Sequence, residues 1–212
     1  MKGILDLLKR ASSPKQGEDK LDSVMFTTAF ADMELEGSVL IPWEARANEV
    51  GAKRLSAARA LKLLQATWSK DRHMQKFDAS SVQKMERFFE FATVAPDRDL
   101  IRQEEYGNFM VVLLSGSIAV DRVQPWGEKL RLTEARPGDI LGEMSLLDSG
   151  IRFSQCTTLT ECDIAILGAD ALDEMLTAEP LMAGSLIALL ARKLSLRLRV
   201  VSARLTEPGH GG

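Results

Sequence analysis

The period of the apolar residues shifts along this chain, and each shift marks a new kind of element. Within residues 1–11, Ile4, Leu5, Leu7 and Leu8 stand against Lys2, Lys9 and Arg10 at helical spacing, which predicts a short amphipathic helix. The run Ser-Ser-Pro-Lys-Gln-Gly-Glu-Asp at 12–19 reads as a linker by composition. Residues 21–48 are interrupted at Gly37 and Pro42 and predict partly irregular structure. From 44 to 69 the period is helical. Leu61, Leu64 and Trp68 share a face, and Ala57, Ala58 and Ala60 permit close packing. Lys53, Arg54, Arg59 and Lys62 fall mostly on other faces and read as solvated surface. Asp78-Ala-Ser-Ser81 is a cap signal for a helix over 80–91, with Val82, Met85, Phe88 and Phe89 on its core side.

From Thr93 the pattern turns to short strands. Phe109-Met-Val-Val-Leu-Leu114 is apolar throughout and predicts a buried strand. Residues 117–123 and 128–133 flank Gln124-Pro-Trp-Gly127, a hairpin turn. Short strands at regular spacing with turns between them predict a compact roll. Gly168 ends the last strand, 169–176 forms a short helix, and Pro180 suits the first position of another. That long helix, 181–205, carries two apolar stripes. One is Ile187, Leu190, Leu194, Leu198, Val201 and Leu205; the other is Met182, Leu186, Leu189, Leu196 and Val200. A small roll covers one stripe, so the second is expected in a homodimer, as a parallel helix pair. The N-terminal helices of the same chain are the alternative cover.

The expected fold class is therefore α+β: an antiparallel β-roll, a jelly-roll-like barrel, flanked by helices. Residues 1–76 form a helical N-terminal extension, 77–205 the roll with its long C-terminal helix, and 206–212 a flexible tail. A net charge of −3 supplies no basic field for nucleic acid. The two cysteines, Cys156 and Cys162, suit a reducing cytosol as free thiols, so the expected localisation is cytoplasmic. No apolar run reaches the length of a membrane span. Residues 1–11 read first as a helix docked on the domain or a partner, and second as a membrane-surface contact. Catalysis has little support. The histidines are His73 and His210, no serine or cysteine has the context of an activated nucleophile, and no cluster has metal-ligand spacing. The chain is expected to be neither an enzyme nor a metalloprotein.

The densest chemistry lies in Arg136-Pro-Gly-Asp-Ile-Leu-Gly-Glu-Met-Ser-Leu-Leu-Asp-Ser-Gly-Ile-Arg-Phe-Ser-Gln155. Turn backbone rich in free N–H groups can cradle an anion. Arg152 adds a permanent cation whose fork matches two phosphate oxygens. Glu143 as a carboxylate only accepts hydrogen bonds, which suits a sugar hydroxyl and repels a phosphate.

Gly142-Glu143-Met144-Ser145-Leu146, followed by Arg152 and the apolar run to Leu167, resembles the phosphate-binding cassette of the cyclic-nucleotide-binding domain. That domain occurs in the catabolite activator family and in protein kinase A regulatory subunits. The resemblance covers residues 77–205, including the Leu-Ser-Gly-Ser-Ile turn at 114–118. It implies a phosphate on Arg152, a ribose 2′-hydroxyl on Glu143, and backbone closure around the sugar and phosphate at Gly142 and Ser145. Met144, Phe153 and Ser154 complete the candidate ligand-binding residues. Phe153 departs from the family, which usually has Ala, Ser or Thr there. On an extended strand Arg152 and Ser154 point inward and Phe153 points to the other face. Asp99 and Glu105 stand near positions where the family tends to have glycine. The resemblance also implies that the long helix lids the ligand and dimerises.

The functional expectation is a regulatory module that senses cyclic AMP or cyclic GMP and signals to an unknown protein. Two alternatives stand beside it. One is a ligand-free dimerisation scaffold, with Phe153 marking a decayed pocket and Arg152 paired to Glu143. The other is a pocket for a different anion, such as a cyclic dinucleotide. Base selectivity is expected from the long helix, at Arg192, Ser195 or Arg199. The chain runs on from this helix only to Thr206-Glu-Pro-Gly-His-Gly-Gly212, so a DNA-binding helix-turn-helix is not expected.

Overall fold

The computed structural model describes residues 40–72, 74–148 and 150–206, and from Ile41 onward these pack as one unit. The helix expected over 1–11, its linker, His73 and the tail with His210 lie outside the described residues.

Helix α1 (Trp43–Val50) stops at Gly51, where φ is 65° and ψ is 40°. A side chain is disfavoured in that left-handed conformation, and the Gly51 N–H turns back onto the Ala47 and Asn48 carbonyls. Strand β1 (Lys53–Arg54) follows, and α2 (Ala57–Trp68) starts afresh at Ser56, whose hydroxyl accepts from the Arg59 N–H. The single helix expected over 44–69 is thus two helices with a strand between them. Both signals stand in the sequence, a glycine that stops one helix and a serine that starts the next.

The helix expected over 80–91 is also shorter. Asp78 caps α3 (Ala79–Lys84) by accepting from the Ser81 N–H at 2.8 Å, as its position suggested. A 3-10 turn (Met85–Arg87) ends the helix, and Phe91 already belongs to β2 (Glu90–Val94). Pairing decides this. Every residue of β2 faces one on β9 (Cys162–Gly168), from Glu90 opposite Ile166 to Val94 opposite Cys162. A ladder satisfies backbone groups that a helix end leaves open.

The remaining strands are β3 (Asp99–Ile101), β4 (Phe109–Ser115), β5 (Ile118–Val123), β6 (Lys129–Ala135), β7 (Ile140–Leu141) and β8 (Gln155–Thr158). They form two antiparallel sheets, ordered β1-β2-β9-β4-β7 and β3-β8-β5-β6. The fold is the expected roll. Strand β4 is the buried strand that its unbroken apolar run predicted. Phe109, Val111 and Leu113 enter the roll interior with Leu100, Ile118 and Ile164. Met110, Val112 and Leu114 pack outward under Leu64, Met85 and Leu186 of the helical layer. With both faces covered, every position along the strand is apolar.

Helices α4 (Glu143–Asp148), α5 (Ala169–Ala178) and α6 (Pro180–Thr206) complete the unit. The first turns of α6 are buried at Met182, Leu186, Leu189 and Leu190, in one cluster with Leu64 and Trp68 of α2. Beyond them Leu196, Leu198 and Val200 are 55%, 67% and 52% exposed. No helix among the described residues is long and apolar enough to cross a membrane.

The glycine-like positions near β3 fall at Asp97 and Glu104, with φ of 58° and 68°, and not at Asp99 and Glu105. A left-handed non-glycine residue costs about 1–3 kcal/mol, most for a β-branched side chain. Glu104→Val is therefore expected to lower the unfolding free energy by about 1 kcal/mol or more. Glu104→Gly is expected to leave it within about 0.5 kcal/mol. Urea denaturation of both variants checks this.

Candidate ligand-binding site

The site is built where β7 hands over to α4. Gly142 sits at the junction with φ of 76°, and a Cβ there would lie 2.6 Å from an Arg152 guanidinium nitrogen. Backbone conformation and close approach both require glycine at this position. The α4 turn then sends Glu143, Ser145 and Leu146 inward, each 5% exposed or less, and leaves Met144 47% exposed.

Arg152 lies on the segment leading into β8 and is 4% exposed. Two backbone bonds hold it to the loop after β3. The Arg152 N–H donates to Glu105 O at 2.8 Å, and the Glu104 N–H donates to Arg152 O at 2.9 Å. Its guanidinium rests over the Phe109 ring, 4.5 Å from the centroid. A Cβ on Gly107 would come within 2.6 Å of Nη2, so main chain closes the other side. Nη1 donates to Gly142 O at 2.9 Å, whereas Nη2 is buried with no acceptor within hydrogen-bond reach. Burial pulls the Arg152 pKa down to about 10; Arg46 acts in the same direction, and Cys156, Glu105 and Glu143 oppose it. The group stays a cation at neutral pH, and among the described residues no carboxylate forms an ion pair with it.

Glu143 is 3% exposed and is paired by Arg197 of α6, through Nη1 to Oε1. The same guanidinium donates to Ile140 O at 3.0 Å. One helical turn earlier, Lys193 donates to Gly138 O at 3.2 Å. The long helix is thus pinned to the 138–143 turn by two cations four residues apart. Glu143 Oε2 accepts no hydrogen bond from the described residues. The Arg152–Glu143 pair considered from the sequence does not form; each group has a different neighbour.

Phe153 is 53% exposed, on the face opposite Arg152. Arg122 lies over its ring at 3.9 Å and donates to Phe153 O at 3.0 Å. The ring therefore takes no space in the roll, as the strand alternation anticipated. Ser154 is half-buried near the Cys156 thiol, whose pKa burial pushes up to about 12. Both cysteines are free and buried, as expected. Of the seven candidate residues, Gly142 and Arg152 are in direct contact, Glu143 and Ser145 are buried on α4 and Ser154 is half-buried; the side chains of Met144 and Phe153 face solvent.

Some neighbours escaped the sequence reading. Arg192, Ser195 and Arg199 were the candidates on the long helix, but Arg197 makes the contact and Arg192 pairs with Asp71. The spacing of Lys193 and Arg197 shows a basic face, yet nothing local says which face meets the cassette. Phe109 and Gly107 read as an ordinary core residue and loop residue until Arg152 is placed against them.

Two clefts of about 450 and 480 Å³ lie elsewhere, the first lined by Trp43, Glu86 and Phe91, the second by Lys84, Phe88 and Glu179. Neither contains Arg152 or Glu143.

Residues 92–179 match the cyclic nucleotide-binding domain family. A CRP-like cAMP-activated global transcriptional regulator of Mycobacterium tuberculosis is 34% identical over 90 residues, 42% of this chain and 40% of that protein. The cyclic AMP receptor protein of Thermus thermophilus is 28% identical over 107 residues, 50% of each chain. The chain therefore spans half or less of the length of these curated relatives. In fold, a cyclic nucleotide-binding domain from Methylobacillus flagellatus superposes with a TM-score of 0.68 at 22% identity, covering 76% of this chain and 91% of that one. Residues 92–179 are thus similar in sequence to the cyclic nucleotide-binding domain family, and the fold is that of cyclic nucleotide-binding β-roll domains.

Proposed function

We propose that this chain is a non-enzymatic sensor that binds a cyclic nucleotide, phosphate on Arg152 and ribose hydroxyl on Glu143, and signals to a protein partner. The observation that carries this reading is the Arg152 guanidinium, buried with an unsatisfied Nη2 and no ion-pair partner among the described residues. A buried cation left in that condition is costly, and an anion beside it relieves the cost. Glu143 complements it. Its Oε1 is held by Arg197 and its Oε2 is open to a hydroxyl donor. The similarity to a cAMP-activated regulator and a cyclic AMP receptor protein makes cyclic AMP the first ligand to test.

Hydrogen bonds to charged groups contribute about 1.5–3 kcal/mol each, so removing the guanidinium is expected to weaken binding about 10- to 100-fold. Calorimetric titration with cyclic AMP, cyclic GMP and a cyclic dinucleotide, on the wild type and Arg152→Ala, measures this. Equal affinity of the mutant refutes the site. The scaffold reading gains from one observation: Arg197 already satisfies half of Glu143, so the roll holds together on its own contacts. Heat from none of the ligands, with a folded protein, selects that reading. Heat from the dinucleotide alone selects a different ligand class.

The pH dependence has a definite sign. Phosphate binding needs protonated Arg152, whose pKa is about 10. A phosphodiester keeps its single charge throughout the neutral and alkaline range. Affinity is expected to be flat from neutral pH into the mildly alkaline range, and to fall as pH rises through about 10. A decline already complete in mildly alkaline buffer would point to a different titrating group.

The same reading includes a homodimer through the second half of α6, supported by the exposure of Leu196, Leu198 and Val200. Sedimentation velocity is expected to show a dimer for the wild type and a monomer for Leu198→Glu. A monomeric wild type contradicts it.

A further inference from the structure

The loop that holds Arg152 is itself held from behind, by residues outside the matched segment 92–179. Arg46 on α1 is 1% exposed. It pairs with Glu49 at 2.7 Å and with the Glu105 carboxylate. Glu105 is the residue whose carbonyl accepts the Arg152 N–H. Arg102 lies 3.7 Å from the same carboxylate and also pairs with Glu49, so Glu105 is fixed from two sides.

A second route runs through rings. Trp43, 5% exposed, meets Phe109 edge-to-face at 5.6 Å, and the other partner of Phe109 is the Arg152 guanidinium at 4.5 Å. A backbone bond closes the arrangement, from the Ile41 N–H to Tyr106 O at 2.9 Å. Tyr106 bridges Ile151, next to Arg152. Residues 41–46 thus contact the loop and the ring between which the anion-seeking group is set.

Resting on the cyclic-nucleotide reading above, we propose that Arg46 and Trp43 are positioning residues of the anion site, and that helix α1 docks more firmly when an anion occupies Arg152. The physical step is linkage. If the docked helix holds Glu105 and Phe109 where Arg152 is competent to bind, then ligand on Arg152 favours the docked helix by the same factor. An undocked α1 frees the 104–107 loop and lets the guanidinium leave its seat between Gly107 and Gly142. Occupancy of the roll is in this way carried to the N-terminal side of the chain, away from the long helix.

The test combines affinity with local amide exchange. Arg46→Met keeps the buried stem and removes the cation that pairs with Glu105; the Kd for cyclic AMP is expected to rise about tenfold, with partial recovery in Arg46→Lys. In the unaltered protein, saturating cyclic AMP is expected to slow amide exchange in α1 more than in α2, and to do so only while Arg152 is intact. Uniform slowing of both helices indicates general stabilisation and overturns the proposal. So does an Arg46→Met protein that binds within twofold of wild type. Both results leave cyclic nucleotide binding standing. A wild type that binds no cyclic nucleotide removes the underlying reading and this proposal together. If Arg46→Met fails to fold, the exchange comparison on the unaltered chain decides alone.

Discussion

Burial of the Arg152 guanidinium is the constraint around which the rest of this molecule is arranged. A cation taken out of water must be met by acceptors or by a polarisable face. Here it has one carbonyl, at Gly142, one ring, at Phe109, and a nitrogen with no acceptor. The surrounding choices follow from that. Glycines stand at 107 and 142 because a Cβ at either would collide with the guanidinium. The apolar β4 strand places Phe109 under it. The left-handed backbone at Glu104 keeps the loop close enough to exchange two main-chain bonds with Arg152. These features make little sense as stability devices alone, since a leucine in place of Arg152 would fill the roll at lower cost. They make sense if the group is held ready for an anion.

The second charged group of the site is handled differently. Glu143 is as buried as Arg152, yet it has a partner from a distant element, Arg197. The long helix therefore ends its packed section with a cation on the cassette. Its earlier turns are held by the helical layer at Met182, Leu186 and Leu190, and its later ones expose apolar residues. One helix thus joins the core, the candidate pocket and an open apolar face. Helix α1 approaches the same site from behind, at Glu105 and Phe109.

Much of this was legible in the sequence, for physical reasons that differ from part to part. The roll was readable because short apolar runs and turn signals report strand burial directly. The cassette was readable because its residues are local, within 142–154. The outward course of Phe153 followed from strand alternation alone. Helix limits were less legible. A helical period at 44–69 concealed the Gly51 stop, and the tertiary pairing of β2 with β9 claimed residues that periodicity had assigned to a helix. Least legible were the long-range partners. The Arg197 contact with Glu143 and the Arg46 contact with Glu105 span 54 and 59 residues, and no local pattern encodes which surface faces which.

The most direct test of the account observes the Arg152 guanidinium itself. Nitrogen-15 NMR of the arginine side chains, assigned with an Arg152→Lys variant, follows its N–H groups as cyclic AMP is added. The Arg152 resonances are expected to shift and their hydrogen exchange to slow at saturation, as the unsatisfied nitrogen gains a phosphate acceptor. Unchanged Arg152 resonances in a protein that demonstrably binds the nucleotide would contradict it, and would place the ligand somewhere else on the fold.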